Sequence, residues 1–142
     1  MATFNKFNLM VQDLARANMN LNTDTLKVML TNTAPVATNH VYSDISATEL
    51  ANGNGYTTGG ATVPGTGTSN SSGTESVAAT AITFTSVTGS MGPFRYVVFY
   101  DNTPATKTLI GWADYGSSIT LNGAAGETFV ITPSGNVLLT LV

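Results

Sequence analysis

The single histidine, His40, is the first residue to consider for chemistry. The chain has one His and no Cys, so a nucleophile triad would have to use His40, and disulfides, thiolate metal sites and a cysteine nucleophile are excluded. His40 stands in a predicted loop, and no Gly-x-Ser-x-Gly elbow occurs in the sequence. We predict an ordinary surface or capping role for His40. The alternatives are a pH-sensitive contact or a single metal ligand.

The carboxylates are the second candidates, because paired acids can hydrolyse glycosides or bind calcium. They are dispersed along the chain, at Asp13, Asp24, Asp44, Glu49, Glu75, Asp101, Asp114 and Glu127. Asp44 with Glu49, or Asp101 with Asp114, could coordinate calcium, although no closely spaced Asp-x-Asp pattern is present. The sequence therefore predicts no catalytic residue, no cofactor and no metal site.

Aromatic residues are concentrated in two neighbouring segments of the second half of the chain. Trp112 and Tyr115 lie in one segment, and the other contains Phe94, Tyr96, Phe99 and Tyr100. Such residues could form a flat platform on which sugars stack. Aromatic residues of strands more often pack in the core or in a subunit interface, so both interpretations stay open.

The composition limits the classes of partner. Charged residues make up 9% of the chain and the net charge is −3, so no basic field attracts phosphates and nucleic acid is not an expected partner. Neutral polar residues replace charges at the surface, since the chain has 24 Thr, 13 Asn and 14 Gly. Thr favours strands, and Asn and Gly favour turns, so this composition predicts β-structure.

The distribution of apolar residues gives no export or membrane signal. The first twenty residues lack a basic segment followed by an apolar run, and no stretch approaches the length of a membrane span. We therefore expect a protein that neither enters the secretory route nor crosses a membrane. A surface typical of extracellular proteins without an export signal fits a virion component that is assembled in the host cytoplasm.

Apolar spacing in the first half predicts one helix and one strand. Phe7, Met10 and Leu14 recur at helical spacing, which predicts an N-terminal helix over about residues 4–21. Residues 25–31 alternate in the manner of a strand. Residues 59–73 are almost entirely Gly, Thr, Ser and Pro around Val63, which predicts a flexible, exposed loop.

The second half reads as a succession of short strands separated by turn residues. The predicted strands cover residues 75–87, 94–100, 108–114, 117–121, 128–132 and 136–142. Residues 94–100 are apolar on both faces, so this strand should be covered on both sides by packed layers. Short turns favour antiparallel pairing. The predicted fold is a single mainly β domain over residues 1–142, an antiparallel, jelly-roll-like β-sandwich with one N-terminal α-helix.

Several blocks of the chain resemble a family of small virion structural proteins of tailed bacteriophages and prophages. The blocks are MATFNKF at residues 1–7, DTLKV at 24–28, LTNTAPVATN at 30–39, GPFRY at 92–96, LIGW at 109–112 and DYGSSITL at 114–121. These strings span most of the chain, but residues 59–73 lie outside them. The resemblance implies a structural role in the virion and carries no active-site residues.

These observations together predict a non-enzymatic virion protein, most simply a decoration or cement protein on the head exterior. Its expected partners are the major capsid protein or other virion proteins, and copies of itself in a homo-oligomer, with a trimer as the first guess. The alternative is a tail or fibre module that binds host-surface glycans. The candidate partner-binding residues are Phe4, Lys6, Phe7, Val63, Trp112 and Tyr115.

Overall fold

The computed structural model describes residues 2–142 and consists mainly of antiparallel strands. The strands are β1 (Thr3–Lys6), β2 (Leu26–Thr31), β3 (Ala61–Thr62), β4 (Gly67–Ser71), β5 (Thr74–Ala78), β6 (Ile82–Thr85), β7 (Ser90–Asp101), β8 (Leu109–Asn122), β9 (Thr128–Ile131) and β10 (Val137–Leu141). The α-helix of the described part, α1, spans Met10–Ala15. The predicted mainly β fold with one helix near the N-terminus is confirmed.

The largest sheet has five strands in the order β1-β8-β7-β2-β3. Its centre is the long hairpin of β7 and β8, in which Val97 pairs with Ala113 and Phe99 with Gly111. β2 pairs along the other side of β7. The β-branched and aromatic residues of β7 suit such a central position.

A second layer packs on one face of this sheet. It contains the three-stranded sheet β10-β5-β4 and the two-stranded sheet β6-β9. Side chains of both layers form one buried cluster, in which Val28, Val97 and Phe99 of the large sheet join Val77 and Phe84 of the second layer. This sandwich-like packing agrees with the prediction.

The opposite face of the large sheet is covered by the segment between β2 and β3. Ile45 of that segment packs with Met29, Val98 and Tyr100 in a second buried cluster. Alternate residues of β7 therefore belong to different clusters, as strand periodicity requires. The prediction that residues 94–100 are covered on both sides is confirmed for residues 97–100, whereas Arg95 and Tyr96 are half-exposed.

The predicted helix over residues 4–21 is wrong in extent. Residues 3–6 form strand β1 on the edge of the large sheet, where Phe4 pairs with Ala113. The helix begins only at Met10 and ends at Ala15. Over so few residues, apolar spacing does not distinguish a helix from a strand. Residues 3–6 form a strand because they pair with β8, which is distant in the sequence.

The predicted flexible loop over residues 59–73 is also wrong in structure. β3 within it pairs with β2, and β4 forms a hairpin with β5. Val63 is 2% exposed and lies in the main core cluster. Its exposed residues are Thr62, Pro64 and Gly65 and the hairpin tip at residues 69–73. Backbone pairing between strands orders a segment that has almost no apolar periodicity of its own.

Candidate functional site

A cleft between the edges of β1 and β10 is the candidate interaction site. β1 is the edge strand of the five-stranded sheet, and β10 is the edge strand of the three-stranded sheet. Ala2, Phe4 and Lys6 line the cleft, which agrees with the two-residue period of a strand. Two of the predicted partner-binding residues, Phe4 and Lys6, are thus brought to the same surface.

Phe4 lies at the middle of this cleft. It lines both of its lobes, which have volumes of ≈ 280 Å³ and ≈ 310 Å³, and Leu138 of β10 also lines both. The Phe4 ring is half-buried, with its centroid 6.0 Å from that of Phe99. The lobe on the Tyr115 side has a mostly apolar lining, which includes Val137 and Ile131. An extended apolar segment would fit the chemistry of such a lining.

Phe7 and Val63, two other predicted contact residues, are buried. Phe7 is 0% exposed, and its ring centroid lies 4.6 Å from that of Trp112. Val63 is 2% exposed, and its N–H donates to the Leu26 carbonyl at 2.9 Å. Both side chains are core residues, so we correct their assignment as partner contacts.

Trp112 and Tyr115 do not form a shared platform. Trp112 packs with the cluster on the outer face of the large sheet. Tyr115 packs with the main core on the other face, edge-on to Phe129 with ring centroids 5.0 Å apart. Residues three apart on a strand point to opposite faces. Trp112 and Tyr115 therefore do not present their rings to a sugar on one surface.

His40 is paired with Asp13 of helix α1, a contact that the sequence did not reveal. The His40 Nε2 atom lies 2.7 Å from Asp13 Oδ2, and the Asp13 side chain is 3% exposed. Asn18 Nδ2 donates to the other Asp13 oxygen at 3.3 Å. The backbone N–H of His40 donates to Asp44 at 2.8 Å. These bonds hold the segment after β2 against the helix, which is a structural use of the only imidazole.

Glu49 is the centre of a hydrogen-bond network that joins three segments. It accepts hydrogen bonds from the hydroxyls of Tyr42 and Tyr56 and, at 2.7 Å, from the N–H of Gly59. Tyr100 in turn donates to the Gly59 carbonyl at 2.6 Å. Burial, and then the charge of Glu49, raise the pKa of Tyr100 to about 12. The phenols therefore stay protonated and act as fixed donors.

Arg95 and Asp114 form a two-pronged ion pair across β7 and β8. Arg95 Nε lies 2.7 Å from Asp114 Oδ1, and Arg95 Nη2 lies 2.8 Å from Oδ2. The hydrogen bond with Arg95 is the main cause that lowers the pKa of Asp114 to about 2, and the Gly116 N–H adds to it. Each side chain is about one-third exposed.

The two acidic pairs expected from the sequence, Asp44 with Glu49 and Asp101 with Asp114, are not formed. Asp101 has a different acidic neighbour. Asp114 faces Tyr96 in the ladder and binds Arg95, so it lies well away from Asp101 at the end of β7. Asp44 caps the His40 segment, whereas Glu49 binds tyrosines. Instead, Asp101 lies beside Asp24, because Leu26, two residues after Asp24, pairs with Asp101. Burial first, and then Asp24, raise the pKa of Asp101 to about 7.

Among residues 2–142, no group of three or more His, Cys, Asp or Glu side chains comes together in a metal-binding arrangement. No helix in this range is long and apolar enough to cross a membrane.

The chain was also compared with known proteins. No protein-family model, no curated protein and no solved structure matches it.

Proposed function

We propose that this chain is a non-enzymatic structural protein of a tailed-phage virion, acting as a decoration or cement protein on the head exterior. The observation that carries the proposal is the cleft between the two edge strands β1 and β10. Its partner would be the major capsid protein or another virion protein. The sequence resemblance supports the virion setting.

Two edge strands beside an apolar cleft suit the binding of an extended segment. The outer backbone of an edge strand can pair with an added strand, and alternate side chains of that strand can enter adjacent pockets. The two lobes on either side of Phe4 would accept such side chains. Lys6, at the exposed end of β1, would contact an acidic group of the partner.

The use of the polar side chains supports a structural role. The Asp13–His40 pair, the Glu49 network and the Arg95–Asp114 pair each tie one segment of the fold to another. Their hydrogen-bonding capacity is thus directed to the fold itself. Exposed Thr, Asn and Gly residues give a weakly charged surface, whose contacts depend little on salt.

A decoration protein on a repeating lattice can work with weak single contacts. Several linked contacts raise the effective concentration of each one, so occupancy becomes high without a large individual interface. A homo-oligomer, with a trimer as our first guess, would supply this multiplicity. Sedimentation velocity on the purified protein measures the oligomeric state directly.

The first experiment locates the protein on particles. Antibodies against the recombinant chain, with gold-labelled secondary antibodies, are applied to intact particles purified from the source. Label on the heads is the expected result. Label restricted to tails or fibres would favour the glycan-binding alternative, and a particle proteome without this chain would refute the virion assignment.

The second experiment tests the cleft with a matched pair of charge reversals. Lys6→Glu changes the rim of the cleft, whereas Arg16→Glu makes the same change at an exposed residue after helix α1. We expect Lys6→Glu to reduce binding to particles that lack the protein, and Arg16→Glu to bind as the unaltered chain does. Deleting residues 2–11 is not a usable test, because it removes β1 and the buried Phe7 and Met10.

A further inference from the structure

A pair of acidic residues joins the end of β7 to the segment before β2. Leu26, the first residue of β2, pairs with Asp101, which places Asp24 beside it, and Asp24 helps to raise the pKa of the Asp101 carboxyl. Asp24 Oδ2 accepts from the Asn20 N–H at 2.8 Å, and Asp101 Oδ1 accepts from the Thr103 N–H at 2.9 Å. Each carboxyl is thereby held by the backbone of its own loop.

Two buried oxygen atoms, one in this pair and one immediately before the neighbouring strand β8, have no hydrogen-bond partner. They are Asp101 Oδ2 and Thr108 Oγ1, and they are the complete set of such side-chain atoms among residues 2–142. The Asp101 N–H donates to the Thr108 carbonyl at 2.8 Å. The two residues are therefore opposite each other across an antiparallel ladder, and their side chains leave the same face. Asp101 is 0% and Thr108 2% exposed.

Unpartnered buried oxygens at adjacent positions require a physical account, because a buried polar atom without a hydrogen bond destabilises the folded state. A proton shared by the two carboxyls would satisfy Asp101 but leave the Thr108 hydroxyl without a partner. A cation at this position would bind both unpartnered atoms, Asp101 Oδ2 and Thr108 Oγ1. The ion pairs of the described chain involve other carboxylates, those of Asp13 and Asp114.

We propose that Asp24, Asp101 and the Thr108 hydroxyl form a calcium site. Calcium accepts carboxylate, hydroxyl, carbonyl and water oxygens in flexible geometry, whereas magnesium demands a tighter octahedron. Backbone carbonyls and water would supply the remaining ligands. The ion would clamp the loop after β7 to the segment before β2, so the site is independent of the β1–β10 cleft.

The test uses the full chain after treatment with EDTA and exchange into metal-free buffer. Calcium chloride is titrated by calorimetry at about pH 8, where an isolated carboxyl is ionised. We expect one saturable site with a Kd on the order of 10⁻⁴–10⁻³ M, the range of extracellular calcium modules. Thermal unfolding should shift upward by several degrees with calcium and by less with magnesium.

Variants identify the ligands. Asp24→Asn and Asp101→Asn should each abolish the calcium-dependent rise in Tm, and Thr108→Val should weaken it. Asp44→Asn is the matched control and should leave it unchanged. Near-UV circular dichroism checks that each variant is folded. If an aspartate variant does not fold, Thr108→Val provides the test, with a smaller calcium-dependent rise in Tm as the expected result. Absence of saturable binding to the unaltered chain, or binding retained in both aspartate variants, would overturn the proposal.

Discussion

The imidazole of His40 and the carboxylate of Asp13 are joined by a contact of 2.7 Å between Nε2 and Oδ2. Asp13 lies in helix α1 and is almost completely buried, whereas the His40 side chain is 37% exposed. The pair links the helix to the segment that covers the outer face of the large sheet. Histidine is often a catalytic residue, but His40 stabilises the packing of helix α1 against the segment after β2.

Replacing His40 with Ala tests that role. The change leaves the buried Asp13 carboxylate with Asn18 as its remaining side-chain partner, so we expect a loss of about 1–2 kcal/mol in the free energy of unfolding. Urea denaturation measures it. A double-mutant cycle with Asp13→Asn should show a coupling energy between the two sites, and a coupling of zero would contradict the assigned contact.

The Glu49 network predicts a large difference between two Tyr→Phe changes. The Tyr56 hydroxyl donates to Glu49 at 2.6 Å and accepts from the Leu30 N–H at 3.1 Å. Tyr56→Phe leaves that buried N–H without a partner and should cost about 1–3 kcal/mol. Tyr96→Phe is the control, since the Tyr96 side chain is half-exposed, and should be nearly neutral. Equal midpoints in chemical denaturation for the two variants would contradict the prediction.

Local patterns of the sequence predicted the elements whose periodicity is strong. The alternation of residues 25–31 predicted β2, and the apolar run at residues 94–100 predicted a strand covered on both faces. The predicted break at Tyr115-Gly116 was wrong, since β8 runs through Gly116 with a φ of +84°. A glycine with positive φ can bend a strand without ending it.

Contacts between distant residues were beyond the reach of these patterns. β1 is a strand because it pairs with β8, more than a hundred positions along the chain. Asp24 lies beside Asp101 because β2 pairs with β7, with Leu26 opposite Asp101. Spacing along the sequence indicates which residues share an element, but only the fold brings such separate carboxyls together.

The Arg95–Asp114 pair predicts a specific acid dependence. Arg95 lowers the pKa of Asp114 from 3.8 to about 2 in the folded state, so the unfolded chain binds more protons between these values. The contribution to stability is therefore complete above about pH 4 and is lost as the pH falls through about 2. Urea midpoints across this range should fall more steeply for the unaltered chain than for Asp114→Asn. Parallel curves would show that the pair makes no such contribution.

The last strand predicts the effect of truncation at the C-terminus. β10 pairs with β5, and Leu139 and Leu141 pack against the main core. Deleting residues 137–142 exposes Val77 of β5, which is fully buried in the intact fold, and should unfold the domain. Deleting the exposed Val142 alone is the control and should leave the Tm unchanged. Native thermal stability in the longer truncation would refute the role of β10.

Two glycines of the segment 59–73 allow a direct test of its ordered structure. Both have positive φ, +70° at Gly60 and +85° at Gly73, so an Ala at either position carries about 1–2 kcal/mol of backbone strain. At Gly60 the added Cβ would also lie 1.9 Å from the Val28 carbonyl oxygen, whereas at Gly73 it meets nothing within 4 Å.

Gly60→Ala should therefore lower the free energy of unfolding by more than Gly73→Ala, because β2 or β3 must move to relieve the overlap. Chemical denaturation of both variants gives the difference, in which the shared strain cancels. If residues 59–63 were a free loop, the two changes would have equal effects. The size of the difference thus measures how firmly this segment is held against β2.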